Sequence, residues 1–446
     1  MRPSSRLRSA PRLRSVLLTT AVSAALVASA CSSGGSDGGG GGPQTITYWA
    51  SDQGSSISED TRVLTPELAE FTRQTGIKVN LEVIGWNDLL NRILAAATSG
   101  EGPDVVNIGN TWSTSLQATG AFLPVSADVL NQLGDTGRFL PNALAATGAP
   151  GQDPVGVPLY SMAYALYYNK AMFAAAGITN PPTTWEEFVE DGKKLTHGDQ
   201  WGVSLEGAST SENAHHAFTF SQQHGGSFFD AAGKPTFNTP QNVAAIKQYV
   251  DFVATDKIAS PSVAEYSNGT EAVQDFATGK AAMLLWQTAD AQLANYGMKT
   301  DQYGVVPIPF PASPPAGAKH VDSIVAGINV SVFAGTQHKD AALQFVKFLT
   351  SRQTQIDLNK AYSSLPSVTD AYNDPAFQTT AAQVYRRILT DSAAPMPAVA
   401  QESQFETAMG TVLKNLFAAA ASGKPVTEQT VANELDQAQQ QLNAGG

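Results

Sequence analysis

Beyond Cys31 the chain has no cysteine at all. No disulfide, thiolate nucleophile or cysteine-based zinc site can therefore exist in the body of the protein. Long apolar runs are also missing after residue 30. The tightest, Ala281–Trp286, falls far short of the about 20 residues that a membrane-spanning helix needs and reads as a buried strand. Basic residues are scarce: 27 Lys and Arg stand against 39 Asp and Glu, a net charge of −12. Five of the arginines lie in residues 1–30, which hold no acid, so without that segment 22 basic residues face 39 acids and the net charge is −17. Such an acidic surface argues against nucleic acid and against adhesion to anionic lipid, and it says little about a neutral ligand. No repeat of 20–50 residues is visible. His215, His216 and His224 lack an HExxH-type frame, and two successive residues on one element do not face one metal, so no metal and no cofactor are expected. Gly38–Gly42 is a linker and not a strand-to-helix phosphate turn.

The amino-terminal segment is organised in three parts. Arg2, Arg6, Arg8, Arg12 and Arg14 precede a mostly apolar run, residues 16–30, that ends in small residues. This is the layout of a secretory signal peptide over residues 1–30. The stretch Leu26-Val27-Ala28-Ser29-Ala30-Cys31 resembles a bacterial lipobox, with Ala28 where Leu is commoner. Cleavage before Cys31 leaves a thiol at the new terminus for lipid attachment; the alternative is an ordinary signal peptide with a chance cysteine. Residues 31–44, rich in Gly and Ser, then form a flexible tether spanning about 20 Å. The body of the chain beyond the tether is long enough for two globular domains.

Apolar spacing divides that body into elements. Thr45–Trp49 reads as a first strand, Thr65–Gln74 as a helix, Ile77–Val83 as a strand, Trp86–Thr98 as a helix and Asp104–Ile108 as a buried strand. This alternation implies crossover units and a largely parallel sheet. Tyr164–Asn169 is strand-like, and Thr184 with Glu187 makes a capping box that opens a helix running to about Leu195. Gln241–Thr255 and Lys339–Thr350 read as helices, Lys280–Trp286 and Ile324–Val332 as strands, Tyr303–Pro309 as an extended exit, and the last hundred residues as helical.

Several of these stretches, in order, resemble the extracellular solute-binding proteins of ABC importers, in the sugar-binding branch that includes maltose-binding protein. They are Phe71–Val79 (FTRQTGIKV), Gly100–Val106 (GEGPDVV), Gly156–Leu159 with Leu166–Lys170 (GVPL, LYYNK), Pro181–Phe188 (PPTTWEEF), Ala326–Asn329 (AGIN) and Gly423–Thr427 (GKPVT). Each motif is weak alone; the ordered set covers nearly all of 45–446. The resemblance implies an α/β, two-lobed periplasmic-binding-protein-like fold of type II, with a ligand cleft and a hinge. It implies one lobe from 45–163 with 310–362 and a second from 164–309 with 363–446. It also implies no catalysis, a monomer, and docking on membrane permease subunits with the lipid as anchor.

A sugar stacks its C–H face on aromatics and offers its hydroxyls to planar donors and acceptors. In open α/β sheets, ligands sit at the carboxyl ends of strands. Trp49, Ser51 and Asp52 end the first strand, Trp86 opens the second helix, and Asn110, Thr111 and Trp112 follow the third strand. Trp286 and Gln287 end the Lys280 strand. Trp185 and Trp201 are expected in the core. Tyr160 and Tyr164 flank the first crossing between lobes, Glu206 follows the Gly202–Leu205 strand, and Asp322, Gly327 and Asn329 accompany the returning strand. Phe405 is the candidate for a late aromatic over the ligand, although matching it needs an insertion. The function expected is capture of a carbohydrate without chemistry. Alternatives are a polyamine or other small solute, or a surface glycoside hydrolase, which would need two carboxyls about 5–10 Å apart; Glu186 and Glu187 belong to a helix cap, and no other acid pair stands out.

Overall fold

The computed structural model describes residues 44–134 and 136–445. Cys31, the segment before it and the tether up to residue 43 lie outside the described residues. The chain begins with β1 (Thr45–Ser51), a helix Ile57–Thr75, β2 (Lys78–Ile84), a helix Trp86–Ser99 and β3 (Val105–Gly109). β1 pairs in parallel with both β2 and β3, as two successive helical crossovers require. The first helix starts at Ile57, well before Thr65, because Ser56 caps it by accepting from the Glu59 N–H. Its polar opening turns carry no apolar stripe, so only the cap marks them.

The remaining strands are β4 (Val157–Met162), β5 (Ala165–Asn169), β6 (Trp201–Ser204), β7 (Ala281–Trp286), β8 (Tyr303–Val306), β9 (Ser323–Ile324), β10 (Ala326–Val332), β11 (Leu365–Pro366) and β12 (Ala393–Ala394). They make a six-stranded sheet in the order β11-β4-β10-β3-β1-β2 and a four-stranded sheet in the order β6-β7-β5-β8. The expectation of a largely parallel sheet is corrected. β10 runs antiparallel to β3 and β4, β11 antiparallel to β4, and β5 antiparallel to β7 and β8. The reason is connectivity. Parallel neighbours need a local crossover helix, whereas a strand re-entering a sheet from elsewhere is free to enter from the opposite end.

The two sheets centre two lobes, and the chain passes between them repeatedly. β4 leaves the large sheet and β5 enters the small one across Ala163 and Tyr164. β8 leads back through β9 to β10, and the segment after β11 leads through β12 to the helices packed on the small sheet's side. These crossings lie side by side: the Tyr164 N–H donates to Ser323 Oγ at 2.9 Å, and β9 pairs with β12.

Each lobe has its own aromatic core. Tyr48, Phe71, Phe345 and Phe348 pack with ring centroids 5.0–5.4 Å apart beneath the large sheet. In the other lobe Trp185 stacks on Phe220 at 4.7 Å and meets Phe188 and Phe252, the core role expected for it. The long helix Glu402–Ala421 lies directly on the helix Thr210–Gln223. Gly410 permits this approach, because a Cβ there would stand 2.4 Å from the Thr210 carbonyl oxygen. That oxygen is backbone, so it cannot step aside. Gly410→Ala is therefore expected to destabilise the fold by about 1–3 kcal/mol, read as a lowered midpoint in urea unfolding; an unchanged midpoint would show that the two helices separate freely.

Candidate functional site

A cleft lies between the lobes. The large sheet supplies the carboxyl ends of its parallel strands: Asp52 after β1, Trp86 after β2, and Asn110, Thr111 and Trp112 after β3. The small sheet supplies Trp286 and Gln287 at the end of β7, and Glu212 and His215 on the helix that follows β6. The loop Ser267–Gly269, Gly327 of β10, Tyr362 and Glu406 also line it.

The indoles are fixed by hydrogen bonds and packing. Trp86 donates its Nε1–H to the Asp52 carbonyl at 2.6 Å and meets the Trp112 ring edge-on at 5.4 Å. Trp112 rests on Gly109, where a Cβ would sit 3.1 Å from the ring, and donates its Nε1–H to Glu406 Oε2 at 2.7 Å. Trp286 rests on Gly269, whose φ of +81° strains any other residue and where a Cβ would stand 3.0 Å from the indole.

The polar groups form a connected set. Glu406 Oε1 lies 3.2 Å from His215 Nε2, and His215 Nδ1 lies 2.8 Å from the Tyr164 hydroxyl. Burial works against ionising either member, but each charge supports the other: Glu406 is held below the usual carboxylate range and His215 is raised. The pair is a buried histidine–carboxylate contact in which each charged form favours the other. Gln287 donates to Glu212 Oε1 at 3.0 Å, and burial pushes Glu212 up. Asn110 donates to the Val325 carbonyl at 2.7 Å. Asn87, Gln292 and Asn295 reach Ser267, Gly54 and Glu59 across the rims. Among the described residues no group of three or more His, Cys, Asp or Glu is placed to hold a metal ion.

Of the residues singled out in the sequence, Asp52, Trp86, Asn110, Thr111, Trp112, Trp286, Gln287 and Gly327 line this cleft. The others lie elsewhere. Trp49 points off the sheet beneath the Arg92 guanidinium, 4.5 Å from its ring. Ser51 is buried and accepts from Asn107. Tyr160 packs on Tyr362, and Tyr164 lies behind the cleft against His215 and Glu212. Asp322 accepts from Ser392, and Asn329 donates to Ser113 and to the Ala146 carbonyl. Phe405 is buried among Phe228, Phe229 and Phe237. Glu206 stands behind the cleft: its Oε1 accepts from the Ala272 N–H at 3.1 Å and so fixes the loop beneath Trp286. Glu212 and Glu406 were not singled out, and His215 was weighed only as a metal ligand. For Glu212 a signal existed, since Ser209 caps its helix by accepting from the Glu212 N–H, an S-x-x-E start just beyond a strand end.

Residues 54–356 match the family model of the bacterial extracellular solute-binding proteins. The chain belongs to this family. It is 27% identical over 332 residues to the diacetylchitobiose binding protein DasA of Streptomyces coelicolor, covering 73% of each chain. It is 26% identical over 294 residues to a putative binding protein of Brucella abortus, covering 65% of this chain and 69% of that one. Maltose-bound MalE3 of T. maritima superposes with a TM-score of 0.75 at 21% identity, over 90% of this chain and 100% of that one. A solute-binding protein of Thermotoga lettingae bound with α-D-tagatose gives 0.75 at 20% identity, with the same coverage. At those identities the two structures speak for the fold alone.

Burial raises Glu206 to about 8, and its Oε2 meets no protein partner. Between the ordinary glutamate range and pH 8 the folded protein thus holds a proton that the unfolded chain has lost. Stability from this group falls as pH rises through that window, by up to about 1.4 kcal/mol per unit. Glu206→Gln, which mimics the protonated form, is expected to flatten the decline between pH 5 and 8 in urea unfolding; equal slopes in the two proteins would contradict the assignment.

Proposed function

We propose that this solute-binding protein is the receptor component of an ABC importer, that it captures a carbohydrate between its lobes, and that it hands the ligand on without altering it. The observation that carries this reading is the union of the Trp86, Trp112 and Trp286 indoles with Asn110, Gln287 and Asp52 around one inter-lobe cleft. Flat rings suit the C–H faces of a sugar; amides and carboxylates suit its hydroxyl edge. DasA, named for diacetylchitobiose, points the same way.

The lobes proposed are those centred on the two sheets. With β11 in the large sheet, the last change of lobe falls after the segment that carries it, and the adjacent crossings at Tyr164, Ser323 and Ala393 are the proposed hinge. The protein acts as a monomer, anchored on the outer face of the membrane by a lipid on Cys31. No helix among the described residues is long and apolar enough to cross a membrane. Cys31→Ser is expected to move the protein from the membrane fraction to the medium on cell fractionation; retention in the membrane would remove the anchor.

A thermal-shift screen over a sugar library tests the reading, because a ligand that binds only the folded form raises the melting temperature with the logarithm of its excess. Sugars should raise it and be recovered unchanged by chromatography. Trp286→Ala should melt lower without ligand, because the indole is packed in the core, and should bind about tenfold more weakly at a temperature where it is folded, the loss of one stacking contact. A full shift in that variant would remove Trp286 from the site, and appearance of a hydrolysis product would replace capture by catalysis.

A further inference from the structure

We propose that the carbohydrate taken by this cleft carries a protonated amino group, which docks on the acidic side of the cleft at Glu212. The inference rests on the carbohydrate reading above and narrows it to aminated sugars.

Charge comes first. The lining holds four carboxyls, on Asp52, Asp88, Glu212 and Glu406, and among the described residues it contains no Lys or Arg. The one basic group is His215, and it is already engaged with Glu406. A phosphorylated or carboxylated sugar would meet several acids and no free cation. With Glu406 set against His215 and Asp88 exposed at the rim, a neutral sugar would leave Asp52 and Glu212 without a positive partner inside a cleft that closes away from water, where charges interact more strongly.

An unfilled acceptor comes second, and it is independent of the count. Glu406 is fully engaged, Oε2 by the Trp112 indole and Oε1 by His215. Glu212 is not: Oε1 takes the Gln287 amide, and the Tyr164 hydroxyl beside the carboxyl is shared with His215, so Oε2 has no well-formed hydrogen bond of its own although the residue is only 7 % exposed. Buried carboxylate oxygens normally have partners, and leaving one without is costly. An ammonium supplies both a donor and the missing positive charge. A hydroxyl supplies only the donor and leaves the carboxylate's charge unbalanced, whereas an ammonium donates and balances it. The indoles of Trp112 and Trp286 add faces that attract a cation as well as a C–H surface.

Calorimetry on the mature protein at low ionic strength, using matched pairs, tests this: glucosamine with glucose, galactosamine with galactose, and the β-1,4-linked glucosamine disaccharide with cellobiose, alongside N-acetylated forms and spermidine. In the pair that fits, the amino sugar should bind at least about tenfold more tightly, and N-acetylation should remove the gain. Raising the salt concentration should weaken the amino sugar and leave its neutral twin unchanged. Glu212→Gln should bring the ratio within the pair close to one. If that variant does not fold, the salt dependence of the wild-type protein decides. Equal affinity within every pair, or a preference that survives Glu212→Gln, would overturn the amine and leave the carbohydrate reading standing. Binding of spermidine with no amino sugar bound would overturn both.

Discussion

The Trp112 indole donates to Glu406 across 294 residues of sequence, and the cleft depends on that bond. It joins the end of β3, in the large sheet, to a helix that packs on the smaller lobe. Both partners are buried, so the bond is made away from competing water, and loss of either would strand the other. The same carboxylate holds His215, which in turn meets Tyr164 at the first crossing. One acid thus links an aromatic wall, a charged wall and the segment on which the lobes would turn. This arrangement needs a chain that changes sheets; a single crossover sheet could not bring a residue of the late helix beside the third strand.

Acids behind the cleft shape it as much as those that line it. Asp60 is fully buried beneath the loop after β1, accepts from the Gln53 and Gly54 N–H groups, and is raised to about 8 by burial and by Asp52. Glu206 does the same for the loop under Trp286 and reaches about the same value. Glu406 has a cationic partner and goes the other way. A carboxyl is pushed up where it is buried against backbone and down where it faces a histidine, and the surroundings make that choice.

Much of the architecture was legible in the chain. The crossover units come directly from apolar spacing, and the Thr184–Glu187 capping box stands where the pattern put it. The tryptophans at strand ends were legible too, because strand ends are where an α/β sheet opens to ligand. Strand direction was not, since it depends on the route by which the chain re-enters a sheet. The charged wall was hidden for a similar reason. His215 and Glu406 meet over a separation of 191 residues, and no local motif records that contact. Phe405 and Glu406 show how fine the margin is: they are adjacent, but about a quarter-turn of helix sends the ring into a phenylalanine cluster and the carboxylate into the cleft. Ser51 and Asp52 divide likewise at the end of β1, one inward and one to the opening.

The central claim is that a sugar ring is gripped between the lobes by indoles and by polar groups from both sides. A crystal structure of the protein with its tightest-binding sugar tests that claim most directly. The expected result is a ring lying against Trp286, with hydrogen bonds to residues of both lobes and Trp86 and Trp112 closing the other side. A sugar bound outside the cleft, or held by one lobe alone with the indoles untouched, would contradict it.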